Sequence, residues 1–259
     1  MAREQMRTVQ TFTRDALAME FVRRVHAAAQ AAIAARGGFH LALTGGSAAE
    51  LYRPLSQARI DWRAVEVWWG DERAVPPDHA DSNFRRAKEL LLDLVPIPPA
   101  NQHRMRGEAA DLDAAAAEYA QALPTLDLVH LGMGPDGHVC SLFPDHPLLL
   151  ETKRTVAVVS DSPKPPARRI TLTLPGLRFA RKLLVTVMGA EKASAVRECI
   201  ERPRSRLPAA RAVAGVAESA WLLDSEAALG HALPSRPSRA ETPAHSPEIL
   251  RSYYLRKLS

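Results

Sequence analysis

The sequence LDLVHLGMGPDGH, residues 126–138, decides the fold class of this chain. Its first part, Leu126–Leu131, is mostly apolar and has the length of a strand, and the glycines and proline of Gly132–Gly137 end it. A strand without polar alternation is typical of a parallel sheet that is buried on both faces. An acidic residue and a histidine, Asp136 and His138, follow directly at the end of this strand.

Strands and helices alternate on both sides of this segment. The other predicted strands are Phe39–Leu43, Val65–Trp69, Thr155–Val159, Ile170–Leu174, Leu183–Met188 and Ala220–Leu223. The predicted helices are Asp15–Ala35, Ala48–Gln57, Asn83–Leu94, Ala109–Leu123 and Ala190–Ile200, with a loop over Gly70–Ala80. This order predicts a three-layer α/β/α fold with a mainly parallel, Rossmann-like sheet and helices on both faces. The β-rich stretch from Thr155 to Leu174 leaves little room for crossover helices, so part of the sheet is expected to be antiparallel.

The composition changes near the end of the chain, and this change predicts the domain boundaries. Residues 1–232 are predicted to form the α/β domain, while 233–248 are rich in Pro and Ser and are typical of a linker. Residues 249–259 carry apolar side chains at spacings that fit a short amphipathic helix, with a frayed terminus as the alternative.

Composition also narrows the function classes. The chain has 259 residues and a net charge of +5, with neither a long apolar run nor a signal-type N-terminus, which predicts a cytoplasmic protein that does not enter membranes. No nucleic-acid module is recognisable, so no nucleic-acid partner is expected. Cys140 and Cys199 have neither metal-site nor disulfide-framework spacing and are expected to be free thiols. A monomer or a small homo-oligomer is expected.

Three unusual loops follow predicted strands, and in parallel sheets such loops meet at one edge, where ligands bind. The first, Thr44-Gly45-Gly46-Ser47, opens a helix with free N–H groups and hydroxyl donors, which suits a phosphate, although a structural turn has the same pattern. The second, Gly70-Asp71-Glu72-Arg73, brings three charged residues, and a solvated loop with a local ion pair is its alternative.

The third loop carries Asp136 and His138, an acid and a histidine two positions apart. A neutral imidazole accepts a proton near neutral pH, and a neighbouring carboxylate fixes its tautomer. His138 with Asp71 and Asp136 also offers ligands for a divalent metal, but no second histidine lies at ligand spacing near these loops, so no metal is expected. The chain has no Gly-x-Ser-x-Gly motif of a serine hydrolase and no dinucleotide fingerprint.

From about residue 10 to residue 230 the chain resembles the 6-phosphogluconolactonases, within the larger family of glucosamine-6-phosphate isomerases and deaminases. The motifs that carry the resemblance are LTGGS at 43–47, WGDERAVP at 69–76 with DSN at 81–83, GMGPDGH at 132–138 with SLFP at 141–144, RITLT at 169–173 and GAEKA at 189–193. Leu142-Phe143-Pro144 stands where deaminases carry an Asn-Glu-Pro segment, which favours the lactonase branch. Val139-Cys140, Asp145 and Ala48-Ala49 depart from the usual residues of the family.

The resemblance implies hydrolysis of 6-phospho-D-glucono-1,5-lactone to 6-phosphogluconate, without cofactor or metal. His138 is expected to act as general base, with Asp136 or Asp71 orienting it and Arg73 stabilising the oxyanion. Residues Thr44, Gly45, Gly46 and Ser47 are expected to hold the phosphate, and Arg169 and Lys192 are added as phosphate contacts by the resemblance. The alternatives are a phosphosugar isomerase or deaminase on the same fold and a non-catalytic phosphosugar-binding regulator.

Overall fold

Nine strands and seven α-helices follow one another in the computed structural model, which describes residues 6–202 and 204–229. The strands are β1 (Met6–Phe12), β2 (Phe39–Leu43), β3 (Val65–Trp69), β4 (Asp71–Arg73), β5 (Leu128–Gly132), β6 (Val156–Val159), β7 (Arg169–Leu172), β8 (Lys182–Val187) and β9 (Glu218–Asp224). The helices are α1 (Arg14–Arg36), α2 (Tyr52–Leu55), α3 (Asn83–Leu90), α4 (Leu112–Ala122), α5 (Leu174–Arg178), α6 (Ala193–Glu201) and α7 (Pro208–Val213). Short 3₁₀ turns precede α2 and α6 at Gly46–Leu51 and Ala190–Lys192.

Six strands form the central sheet, in the order β1-β9-β8-β5-β2-β3, and all its pairings are parallel. Successive residues of a strand point to opposite faces of the sheet. In β8, Leu183 and Val185 enter one buried cluster, which α4, α6 and α7 share, while Leu184 enters a second cluster with α1, α2 and α3. Because a core covers each face of the sheet, the inner strands do not alternate between apolar and polar residues. The predicted fold class is confirmed.

The remaining strands form a small antiparallel sheet in the order β4-β7-β6. Its position confirms that the stretch between Thr155 and Leu174 pairs in antiparallel fashion. The strand β4 corrects the prediction of a continuous loop over Gly70–Ala80, because Asp71–Arg73 pairs with Arg169–Thr171 across the chain. The end of β7 is also earlier than predicted, since Leu174 already begins α5.

Several helices differ from their predicted bounds. Residues 48–57 form a 3₁₀ turn and the four-residue α2 rather than one helix. The edge strand β1 and helix α7 have no counterpart among the predicted elements. The predicted linker 233–248 and terminal helix 249–259 lie outside the described residues. Among the helices that are described, none has the length and hydropathy that spanning a membrane requires.

The order of the strands places a cleft at one point of the sheet edge. From β2 the chain moves outward to β3, then returns to β5 on the other side of β2. Such a reversal leaves the connections above β2 and β5 running in opposite directions, and ligands bind in the space between them. The segments that leave β2, β3 and β5 are the three loops with unusual chemistry.

Candidate active site

An open cleft of about 630 Å³ lies beyond the carboxyl ends of β2 and β5. All but one of the predicted site residues line it: Thr44, Gly45, Gly46, Ser47, Asp71, Arg73, His138, Arg169 and Lys192. The exception, Asp136, stands behind His138 and bonds to its ring. Elements that are far apart in the sequence therefore bring these side chains to one place.

His138 is joined to Asp136 by a short hydrogen bond of 2.5 Å between Nδ1 and Oδ1. A carboxylate only accepts hydrogen bonds, so Nδ1 carries the proton and the lone pair lies on Nε2. Burial alone would raise the pKa of Asp136, but the hydrogen bond from His138 and the charges of His138 and Lys164 lower it below its ordinary value. The pair thus consists of an ionised carboxylate and an imidazole in a defined tautomer.

The ring of His138 is held from two further sides. Its centroid is 4.9 Å from that of Phe143, whose ring is tilted by 37°. On another side Gly134 approaches so closely that a Cβ atom there would lie 2.0 Å from Cε1 of His138. The position of the imidazole therefore requires a glycine at position 134.

Asp71 forms the centre of a buried polar cluster on the opposite wall. Its carboxylate accepts from Ser141 Oγ at 2.7 Å and from Asn83 Nδ2 at 3.1 Å, and Arg169 NH1 lies 4.0 Å from Oδ2. Within the described residues no hydrogen bond joins Asp71 to His138, so the acid that contacts the imidazole is Asp136. Asp71, the first residue of β4, instead links the start of α3, the loop after β5 and the start of β7.

Glu72 accepts hydrogen bonds from the backbone N–H groups of Arg73, Asn83 and Phe84 and from Ser82 Oγ, at 2.7–3.0 Å. Burial raises the pKa of Glu72, while these four bonds work in the opposite direction. Because two of the donors are the first residues of α3, Glu72 fixes the start of this helix.

Arg73 follows Glu72 and reaches into the cleft. Its NH1 donates to the backbone oxygen of Asp81 at 2.6 Å. Its Nε is buried and has no hydrogen-bond partner among the described residues. A buried donor without a partner is costly, and at the wall of a cleft it points to a ligand that would accept from it.

Two positively charged side chains also line the cleft. Lys192 is only 8% exposed, and its Nζ donates to Ser47 Oγ at 3.2 Å. Arg169, only 4% exposed, donates through Nε and NH2 to the carbonyl oxygens of Lys164, Pro165 and Pro166. Burial lowers the pKa of Lys192 and of Arg169. Two buried cations beside a glycine loop form an arrangement suited to an anion.

The loop at Thr44 rests on a buried hydrogen-bond network. Tyr52 Oη accepts from the backbone N–H of Thr44 at 2.7 Å and also contacts the Thr44 carbonyl and His130 Nδ1. His130 continues through Nε2 to Thr186 Oγ1 at 2.8 Å. Burial lowers the pKa of His130 to about 3, so this histidine is neutral. The network fixes both backbone polar groups of the first residue in the loop.

The sequence alone does not point to several of these residues. Lys164, whose Nζ lies 3.2 Å from His138 Nδ1, is 26 positions away in the chain. Ser141 and Asn83 belong to the motifs of the resemblance, but their bonds to Asp71 emerge only from the fold. Tyr52 belongs to none of the motifs quoted in the sequence analysis. In the part of the chain that the structure describes, no three His, Cys, Asp or Glu residues are grouped as metal ligands.

Comparisons by family model, by sequence and by structure all lead to the same group of proteins. The family model for glucosamine-6-phosphate isomerases/6-phosphogluconolactonase matches residues 13–221, which include every residue that lines the cleft. A 6-phosphogluconolactonase of Mycobacterium tuberculosis is 45% identical over 233 residues, covering 83% of this chain and 94% of that protein. One of Streptomyces coelicolor is 41% identical over 216 residues, covering 75% and 83%. The crystal structure of a 6-phosphogluconolactonase from Thermotoga maritima has a TM-score of 0.76 at 27% identity, covering 84% and 99%.

Proposed function

This chain belongs to the family of glucosamine-6-phosphate isomerases and 6-phosphogluconolactonases, and on that premise we propose that it hydrolyses 6-phospho-D-glucono-1,5-lactone to 6-phosphogluconate in the oxidative pentose phosphate pathway. The observation that carries the proposal is the Asp136–His138 pair at a cleft that buried cations also line. The pair offers a base for hydrolysis, and the cations offer charge for a phosphate.

His138 is the general base in this proposal. Its Nε2 takes a proton from a water molecule as the oxygen of that water attacks the lactone carbonyl carbon. Asp136 keeps the proton on Nδ1 and stabilises the imidazolium that forms. A base of this kind contributes roughly 10²–10⁴ to the rate.

Attack on the carbonyl places negative charge on its oxygen. Arg73 is the proposed donor to this oxyanion, because its side chain lines the cleft together with His138. A donor in such a position is worth about 3–4 kcal/mol of transition-state stabilisation. Collapse of the intermediate breaks the bond from the carbonyl carbon to the ring oxygen. The proton on His138 Nε2 then passes to this oxygen, which becomes a hydroxyl group of the product.

The 6-phosphate is proposed to bind at the loop Thr44–Ser47. Lys192 is hydrogen-bonded to Ser47, and Arg169 lies on the same cleft, so both supply positive charge there. Asp71 is proposed to support this site indirectly, through its contacts with Asn83 and Arg169. The chemistry requires no redox step, so no cofactor is proposed, and the histidine base makes a metal-bound water unnecessary.

The experiment that tests the function measures hydrolysis of freshly prepared 6-phosphogluconolactone, with spontaneous opening subtracted. The wild type is compared with His138→Ala and with His26→Ala, whose histidine lies on α1 and bonds to the Arg59 carbonyl. We expect kcat to fall by about 10²-fold or more in His138→Ala and to stay unchanged in His26→Ala. We also expect a chelator to have no effect.

A wild-type protein that does not exceed the spontaneous rate would contradict the lactonase proposal. Deamination of glucosamine-6-phosphate would then be the next activity to assay, because isomerases of that sugar belong to the same family. Inhibition by the chelator would contradict the proposal that no metal takes part.

A further inference from the structure

Lys164 lies behind the Asp136–His138 pair. Its Nζ is 3.4 Å from Asp136 Oδ1 and 3.2 Å from His138 Nδ1. His138 lines the cleft, whereas Lys164 and Asp136 are not among the lining residues. The contacts of this ammonium group with the site are those with Asp136 and His138.

The backbone of Lys164 is fixed independently of its side chain. Its carbonyl oxygen accepts from Arg169 NH2 at 2.9 Å and from Ser162 Oγ at 2.8 Å, and its N–H donates to Ser162 Oγ at 3.2 Å. On the side of Lys164, these bonds use backbone atoms only. A change of the side chain at position 164 therefore removes the charge and leaves the attachments of the segment in place.

The positions of the protons decide what the ammonium group does. Nδ1 of His138 already carries a proton, which it donates to Asp136, and an ammonium group has no acceptor atom. Lys164 therefore pairs with the carboxylate and only approaches the ring. A positive charge beside an imidazole opposes the arrival of a second proton on Nε2, whereas the carboxylate of Asp136 favours it.

We propose that Lys164 is a positioning residue that offsets the charge of Asp136 at His138, so that the imidazole remains a neutral base at lower pH than the pair alone would allow. The inference rests on the proposed function, in which the neutral ring removes a proton from water. Asp136 can then fix the tautomer without keeping the base protonated.

Other charged or titratable groups also face the cleft that His138 lines. They are Asp71 and Arg73 of β4, Arg169 of β7, Lys192 and the buried thiol of Cys140. Within the described residues, none of their side chains is hydrogen-bonded to Lys164 Nζ, which contacts Asp136 and His138. Besides burial, the charge of Lys164 is among the causes that lower the pKa of Lys192, so the neutral variants also act on that group, whereas Lys164→Arg keeps the charge.

The test uses the full chain and two readouts, the ring titration of His138 by NMR and the pH dependence of kcat/KM. Lys164→Met and Lys164→Gln remove the charge, Lys164→Arg keeps it, and Lys153→Met is the matched control at an exposed lysine. The His138 resonance is assigned by its absence from the spectrum of His138→Ala. NMR reports the charge effect even without turnover.

We expect the titration midpoint of His138 to rise by roughly one pH unit in both neutral variants, as a unit charge at this distance produces in water-like surroundings. One unit below the wild-type midpoint, kcat/KM should then be about tenfold lower than in the wild type, with equal plateaus at high pH. Lys164→Arg should restore the wild-type midpoint, and Lys153→Met should not change it.

An unchanged His138 midpoint in both neutral variants overturns the proposal, and so does a loss of kcat/KM by the same factor at every pH. Failure of the proposed function gives a different result, since the wild type itself would then not hydrolyse the lactone. The NMR titration would still decide whether Lys164 offsets Asp136.

Discussion

A methyl group at position 134 would collide with the imidazole of His138, at 2.0 Å from Cε1 and 2.1 Å from Nδ1. Contacts this short force the ring to move, and a shift of about 1 Å at a catalytic group costs on the order of 10²-fold in rate. We therefore expect Gly134→Ala to lower kcat by about 10²-fold while the protein stays folded, as measured by lactone hydrolysis and by circular dichroism.

Gly38→Ala is the matched control for this substitution, because a Cβ atom there would meet only the Ala64 carbonyl oxygen, at 3.6 Å. This variant should keep full activity. Wild-type activity in Gly134→Ala would mean that the ring position seen beside Gly134 is not the one used in the reaction.

Only side-chain contacts between residues that are close together in the sequence could be predicted. Asp136 and His138 lie two positions apart, so the sequence suggests that they meet, and the hydrogen bond joins them. Lys164 comes from another loop, and Ser141 is 70 positions from its partner Asp71. Such partners depend on how the strands are ordered, which one sequence does not reveal.

Regular elements were predicted best where burial on two faces makes a strand apolar throughout. The sequence predicts β2 and β3 residue for residue, and it predicts that α3 begins at Asn83, directly after the N-cap Ser82. It misses β1, an edge strand with an exposed pattern whose partner β9 is at the other end of the domain. It also misses β4, since three charged residues carry no strand period and pair only through contacts with β7.

The connection from β4 to α3 depends on one buried carboxylate. Oε1 of Glu72 accepts from the N–H groups of Arg73 and Asn83, and Oε2 accepts from Phe84 N and Ser82 Oγ. In Glu72→Gln an NH₂ group replaces one oxygen and faces donors in either orientation. We expect the free energy of unfolding to fall by about 2–3 kcal/mol, measured by urea denaturation, because buried donors lose their acceptor.

The control at the same scale is Glu89→Gln on the exposed side of α3. Glu89 bonds to Arg85 one turn earlier and is half exposed, so its loss should cost less than about 0.5 kcal/mol. Equal stabilities of Glu72→Gln and the wild type would show that the carboxylate is not needed to hold α3 against β4.

At the scale of the whole molecule, the chain order of the strands and the location of the site are linked. The chain crosses from one half of the sheet to the other between β3 and β5, and the loops of both halves meet above β2 and β5. The sequence predicts that these loops share an edge, since the strands before them are expected to be parallel, but it does not predict which strands are neighbours. The antiparallel sheet adds Asp71, Arg73 and Arg169 to this edge from β4 and β7.

The domain boundary predicted at residue 232 can be tested by shortening the chain. The central sheet is completed by β9, which pairs with β1 and β8. Just after this strand, the fully buried Ala227 donates its N–H to the carboxylate of Asp224, the last residue of β9. The described residues that line the cleft all lie between Thr44 and Lys192. We expect a chain that ends at Ala232 to keep the wild-type kcat/KM and unfolding midpoint.

A chain that ends at Ala217 loses β9 and should not fold, because β1 and β8 then have no strand between them. If the chain ending at Ala232 unfolds earlier or hydrolyses the lactone more slowly, residues 233–259 are part of the folded enzyme and the predicted boundary is wrong.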